Sequence, residues 1–145
     1  MAPRLSSVLL LTPWYRRRDA ALLLMRIVVG ALLVWGVVDN VVSAERMREF
    51  ENFLAGFGFP APALMAPLSV WAQLAVGVGF VLGLLARWAG VICAVNFVVA
   101  IVMVDVHGGI RGAFPSACLV VIGLYLATNG AGRFSLDHWL EARIR

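Results

Sequence analysis

The apolar residues of this chain fall into four long blocks that are separated by short polar segments. The blocks cover about 20–42, 66–85, 88–106 and 113–128. A helix needs roughly 17–25 mostly apolar residues to cross a bilayer, so the first three blocks are long enough and the fourth is marginal. No block alternates apolar and polar residues as a membrane β-barrel requires. The pattern therefore predicts an all-α fold, a four-helix transmembrane bundle.

Two shorter segments, 44–56 and 135–144, combine charged residues with apolar residues at helical spacing. Ser43 is a suitable N-cap for the first segment, and Ser135 is one for the second. Helices of this kind lie in the membrane interface with their apolar face towards the lipid. We therefore expect two short interfacial helices, although an ordinary structured loop explains the first segment equally well.

The composition favours a membrane protein over other classes. Of the 145 residues, 62% are hydrophobic and 14% are charged, and the mean hydropathy is +0.92. Ordinary soluble domains are about 45–50% apolar and about 25% charged. A soluble fold of this length has too little interior for so many apolar side chains, and a disordered chain is less hydrophobic. We expect residues 1–145 to form a single membrane domain in contact with the lipid bilayer.

The positions of the basic residues predict a topology. All 12 basic residues are arginines, and most stand at the ends of the apolar blocks rather than on one face that would bind nucleic acid. Cytoplasmic loops of membrane proteins are enriched in arginine. This bias predicts that both termini lie in the cytoplasm. Residues 1–19 are then a cytoplasmic lead-in, with a twin-arginine export signal as the alternative.

Three polar residues near the inner side of the bundle are predicted to be structural. Ionisable groups within a membrane are costly, so each one needs an explanation. Arg26 either extends its charged group to the inner surface or binds an acidic or quinone-like group inside the bundle, for which Asp137 is the candidate within the protein. Asn96 is predicted to form a hydrogen bond between helices.

A second polar set lies near the outer boundary and includes Asp39, Gln73 and His107. With Trp35 of the first block, these three residues are the predicted ligand-binding residues. Helix bundles bind ligands between helices, on apolar walls with a few converging polar groups. Asp105 belongs to the same set, and segment 46–54 is placed to cover such a pocket. The alternative is that these polar groups only hydrate the ends of helices.

The sequence gives no sign of an intrinsic cofactor or a metal site. The two histidines, His107 and His138, are predicted at opposite ends of the bundle, which does not suit haem ligation. Cys93 and Cys118 are predicted at different depths, too far apart for a disulfide. The residues alone leave open whether the chain is an enzyme.

Four stretches together resemble the DoxX family of small bacterial membrane proteins. MRIVVGALLVWG resembles the first helix of the family, and FLAGFGFPAPALMA resembles the segment before its second helix. LAVGVGFVLGLLARWAG resembles its glycine-rich second helix, and GAGRFSLD resembles its C-terminal signature. The four stretches occur in the order of the family and cover about 25–137.

This resemblance implies an inner-membrane protein associated with redox metabolism, since relatives include the small subunit of thiosulfate:quinone oxidoreductase. It also implies contact with quinone and a protein partner in a redox complex. Trp35 stands where the family often has histidine, and Gln73 stands where glutamate is frequent. Two other functions stay open, namely a non-catalytic scaffold that docks a soluble enzyme and a small-molecule transporter.

Overall fold

The computed structural model describes residues 17–144, and this range is helical throughout apart from its connections. The helices are α1 (Arg18–Val42), α2 (Ala44–Gly56), α3 (Pro62–Leu82), α4 (Ala86–Met103), α5 (Gly109–Asn129) and α6 (Leu136–Ile144). A short 3-10 helix, Asp105–Gly108, connects α4 to α5. The predicted lead-in and its alternative, an export signal, lie outside the described residues except for 17–19.

Four of these helices, α1, α3, α4 and α5, are long and apolar enough to cross a membrane. The predicted all-α fold with four spanning helices is therefore confirmed, and the chain is a multi-pass membrane protein. Between 17% and 28% of each spanning segment is buried. Apolar side chains consequently cover the outside of the bundle as well as its interior, which is what contact with lipid requires.

The four spanning helices alternate in direction, which gives the bundle two different ends. At the roofed end, α2 packs on α3 and covers the bundle. At the tail end lie the start of α1, the α3–α4 turn and the segment from the end of α5 to α6. The α3–α4 turn is short because Gly83 and Leu85 both adopt positive φ angles, of 65° and 48°. Gly83 has no Cβ to oppose this conformation, so it ends α3 at low cost.

Two helix pairs form through contacts between glycines. In the α1–α3 pair, a Cβ on Gly30 would lie 2.6 Å from the carbonyl oxygen of Gly77. In the α4–α5 pair, a Cβ on Gly123 would lie 2.7 Å from the carbonyl oxygen of Gly90. Helix association in lipid depends on such close packing, because burial from lipid gives no hydrophobic gain.

A buried apolar core joins the two pairs. It consists of Leu22, Leu33, Val76, Phe80, Ala89, Cys93 and Leu126. Cys93 Sγ lies 3.7 Å from the carbonyl oxygen of Leu119, whereas Cys118 is half-buried, and both cysteines are free thiols. Each spanning helix contributes to this core, so the four helices form one bundle.

We expect Gly77→Ala to destabilise the α1–α3 pair, because the new Cβ would lie 2.8 Å from both the Gly30 carbonyl oxygen and Val34 Cγ2. Overpacking of this kind costs about 1–3 kcal/mol, so the thermal unfolding midpoint in detergent should fall. Gly56→Ala is the matched control, since a Cβ there meets nothing within 4 Å. An unchanged midpoint in the Gly77→Ala variant would contradict the close pairing.

Candidate functional site

A cavity of about 620 Å³ lies between α2, α3 and α4 on the roofed side of the bundle. We refer to it as the roofed cavity. Aromatic rings line it from α2 and the following loop, with Phe50, Phe53 and Phe59, and from α4, with Phe97. Aliphatic side chains of α3 and α4 supply most of the remaining wall. The surroundings therefore suit an apolar molecule.

The roofed cavity is elongated and open at its side. The α4 residues that line it extend from Val91 to Ala100, which is roughly 14 Å at the helical rise of 1.5 Å per residue. Val95 and Val99 line the cavity and are also 60% and 43% exposed. Since these valines face the lipid, the cavity opens to the bilayer along α4.

Four polar residues, Ser69, Asn96, Asp105 and Ser116, interrupt the apolar lining. Ser69 Oγ donates a hydrogen bond to Asn96 Oδ1 at 2.9 Å, which links α3 to α4. The Nδ2 amide of Asn96 forms no hydrogen bond with any residue in the range 17–144. This amide is therefore available as a donor to a molecule in the cavity.

Asp105 contributes an oxygen atom with unused hydrogen-bonding capacity. Its Oδ2 is buried and has no hydrogen-bond partner among the residues that the structure describes. A buried polar atom without a partner costs about 1–3 kcal/mol, and more when it is charged. Such atoms are rare in folded proteins. A ligand with a hydrogen-bond donor would remove this cost.

A row of aromatic rings extends from α2 to the segment between α4 and α5. The ring centroids of Phe50 and Phe53 are 6.2 Å apart, those of Phe53 and Phe57 are 4.9 Å apart, and those of Phe57 and His107 are 5.5 Å apart. Ser43 caps the other end of α2 by accepting a hydrogen bond from the Arg46 amide. The α2 helix is therefore held over the roofed cavity at both of its ends.

The four residues predicted to bind a ligand do not line the roofed cavity. Trp35 is 80% exposed on the outside of α1, and Asp39 is exposed near the end of the same helix. Gln73 Nε2 donates to the carbonyl oxygen of Leu33 at 3.2 Å. His107 contacts Phe57, as described above.

Within the described range, no hydrogen bond, ion pair or ring contact joins any two of these four residues. The structure does not bring them together, and the ligand site that they were expected to form stays a prediction. The hydropathy of the sequence does not indicate the side of the helix on which each residue lies. No residue of α1 lines the cavity, which excludes Trp35 and Asp39 from its walls.

The sequence interpretation missed Ser69 and Ser116, because single hydroxyl groups are common in apolar helices. Their common depth is visible only from the observed helix bounds. Ser69 lies seven residues after the start of α3, and Asn96 lies seven residues before the end of α4. Since the two helices are antiparallel, this spacing places both side chains at the same depth.

At the tail end, Arg26 is buried inside the bundle with 1% of its surface exposed. Nη1 donates to the carbonyl oxygen of Ala131 and Nη2 donates to that of Phe134, both at 2.7 Å. Arg26 therefore does not extend its charge to the surface, which was one of the two expected arrangements. Its partners are backbone carbonyl groups in the segment after α5.

Asp137 does not form the expected ion pair with Arg26 within the described residues. Its carboxylate instead accepts hydrogen bonds from the amides of Leu85 and Ala86, at 2.7 and 2.8 Å. These amides are at the start of α4, where a helix has unpaired donors and favours negative charge. The Asp137 amide also donates to the Gly83 carbonyl oxygen at 3.0 Å. We call these contacts of Arg26 and Asp137 the tail lock.

A second cavity, of about 590 Å³, lies beside the tail lock and is polar. Its charged lining residues are Arg18, Asp19, Arg87, Arg133, Asp137 and Glu141. The charges of the two signs are balanced, so the cleft has no strong preference for an anion or a cation. It differs in this respect from the apolar roofed cavity.

Comparison with known protein families gives a match. The sequence profile of the DoxX family matches residues 21–107. No curated protein and no solved structure matches the chain significantly. The matched range contains α2, α3 and α4, and with them all polar residues of the roofed cavity except Ser116.

We expect Arg26→Met to lower the thermal unfolding midpoint clearly, because it leaves the carbonyl groups of Ala131 and Phe134 without their donor. Each buried acceptor that loses its partner costs about 1–3 kcal/mol. Arg87→Met is the matched control, since Arg87 also donates to two backbone carbonyl groups but is exposed to solvent. Equal losses in the two variants would contradict a structural role for the burial of Arg26.

Proposed function

Since the chain belongs to the DoxX family, we propose that it is a redox-associated subunit of the bacterial inner membrane that binds a quinone in the roofed cavity. The redox association is supported by the family resemblance. The quinone is supported by the shape and chemistry of the cavity. Electron transfer is assigned to a protein partner, because the proposal gives this chain no cofactor of its own.

The observation that carries the proposal is the distribution of polar groups in the roofed cavity. Polar side chains line only the part of the cavity from Asn96 to the roof, and the part around Val91 and Ile92 is apolar. A quinone has the same division, with a polar ring head and a long apolar chain. Such a molecule would place its head beneath the roof and its chain towards the middle of the bilayer.

The residues of the cavity supply the contacts that a quinone head needs. The Asn96 amide would donate to a ring carbonyl group, while Ser69 holds the amide in place. The phenylalanines of α2 and α4 would pack against the ring, as aromatic groups do in apolar sites. The side opening along α4 would admit the molecule directly from the lipid, without passage through water.

The proposed orientation places the roofed end outside the cytoplasmic membrane. The tail end has Arg17, Arg18, Arg87, Arg133 and Arg143, whereas the roofed end has Arg46, Arg48 and Arg111. The excess of arginine favours a cytoplasmic tail end. The quinone head would then lie in the outer leaflet.

Docking of a soluble enzyme is the second candidate function, and the polar cleft beside the tail lock favours it. The cleft carries charges of both signs on several elements, which suits a polar protein surface. Under this alternative, a soluble protein would purify with the chain in a fixed ratio while the roofed cavity contained no quinone.

We expect Ala72→Phe to weaken quinone binding by at least about tenfold, or ~1.4 kcal/mol, because the new ring would occupy the roofed cavity. Ala75→Phe is the matched control on the same helix, since Ala75 is exposed and does not line the cavity. Binding of decylubiquinone to purified protein and quinone content of its lipid extract would be measured. The absence of saturable binding and of extracted quinone in the unmodified protein would refute the proposed function.

Labelling of introduced cysteines would test the orientation. In intact cells, a membrane-impermeant maleimide should modify Asn52→Cys in α2 and should not modify Glu141→Cys in α6, since these lie at opposite ends of the bundle. Both residues are exposed. Permeabilised cells provide the control, in which both sites should react. The reverse pattern in intact cells would show that the tail end is outside.

A further inference from the structure

The roofed cavity contains one feature that a neutral apolar pocket does not need, which is the carboxylate of Asp105. Among the residues described, it is the only acidic side chain in the lining, and no basic side chain lines the cavity. Its Oδ2 is buried without a partner.

The neighbours of Asp105 in the chain are engaged elsewhere. The His107 amide donates to the Val104 carbonyl oxygen at 3.2 Å, and His107 Nδ1 lies 3.1 Å from the same oxygen. The His107 ring contacts Phe57. Arg111 is exposed and forms no ion pair with Asp105 in the part of the chain that the structure covers. No described residue donates to Oδ2, so a molecule in the cavity can supply the donor.

The other polar groups of the cavity cannot distinguish a hydroxyl group from a ketone. Serine hydroxyl groups and the asparagine amide can each donate or accept a hydrogen bond. An ionised carboxylate can only accept. Asp105 thus binds a hydroxyl group well. A ketone oxygen at the same place has no proton to donate to the carboxylate.

We infer that Asp105 makes the roofed cavity selective for the reduced, hydroxyl-bearing hydroquinone over the quinone. This inference rests on the proposed function, because it assigns a preference to the same site. It concerns binding alone: the hydroquinone O–H donates to Asp105 Oδ2, and no proton or electron is transferred in this step. The site would accordingly hold the hydroquinone in preference to the quinone.

The test is a comparison of the affinities for decylubiquinol and decylubiquinone, measured without oxygen on the full chain in lipid nanodiscs. We expect the unmodified protein to bind decylubiquinol about tenfold more tightly, as one additional hydrogen bond to a charged group would give. Asp105→Asn should remove this preference, because its amide can donate to a ketone. Asp39→Asn is the matched control and should retain the preference, since Asp39 does not line the cavity.

The outcomes separate the inference about Asp105 from the proposed quinone site. Equal affinities of the unmodified protein for both forms would overturn the inference and leave the quinone site standing. The same conclusion would follow if Asp105→Asn kept the preference. If neither form bound saturably, both the inference and the proposed function would fail. The comparison on the unmodified protein does not depend on the folding of any variant.

A lipophilic cation is the other occupant that a carboxylate among aromatic rings would suit, because cations bind to aromatic faces. Tetraphenylphosphonium is the probe for this outcome. Binding of this cation that is lost in Asp105→Asn, together with equal affinity for the two quinone forms, would overturn the inference in favour of a cation site. Failure of the cation to compete with decylubiquinol would support the inference.

Discussion

Close backbone contact is the condition on which this bundle depends, because helices in lipid gain no hydrophobic energy by packing together. Two glycine pairs provide this close backbone contact, Gly30 with Gly77 and Gly90 with Gly123. Each contact fixes one helix pair, α1 with α3 and α4 with α5. Between the pairs, α3 and α4 are joined by a short turn at the tail end, and the roofed cavity lies between them. The position of the cavity thus follows from where close packing occurs and where it does not.

The tail lock and the roofed cavity divide the molecule into a fixed end and a binding end. Arg26 binds two carbonyl groups and Asp137 binds two amides, so the segment after α5 is attached both to α1 and to the α3–α4 turn. A charge inside a membrane protein is costly unless it is paired. At the tail end the backbone pairs both Nη atoms of Arg26, while its buried Nε has no partner among the described residues. At the roofed end, Asn96 Nδ2 and Asp105 Oδ2 have no hydrogen-bond partner in the same range, and both residues line the roofed cavity. Unused donors and acceptors are what a ligand site requires.

The sequence predicted the helices better than it predicted the site. The spanning helices follow from hydropathy, and α2 follows from Ser43 and the glycines after it, all of which are local signals. Hydropathy does not predict the rotation of a helix about its axis, because a helix that is apolar all round has no polar face to orient it. Gln73 was expected near the outer boundary, but it lies midway along α3, and its side chain donates to the Leu33 carbonyl group. The partners of Arg26 could not be predicted either, since every residue has a backbone carbonyl group and the sequence does not show which one accepts a hydrogen bond.

Photoaffinity labelling would test the central claim, that a quinone occupies the space between α3 and α4 beneath α2, most directly. The purified protein in nanodiscs would be irradiated with an azido-quinone, and the modified peptides would be identified by mass spectrometry, with excess decylubiquinone as the competitor. The account predicts competed labels on the cavity-lining residues within 65–72 and 91–105. Competed labels confined to the outer face of α1 around Trp35, or to the tail-end cleft, would contradict it.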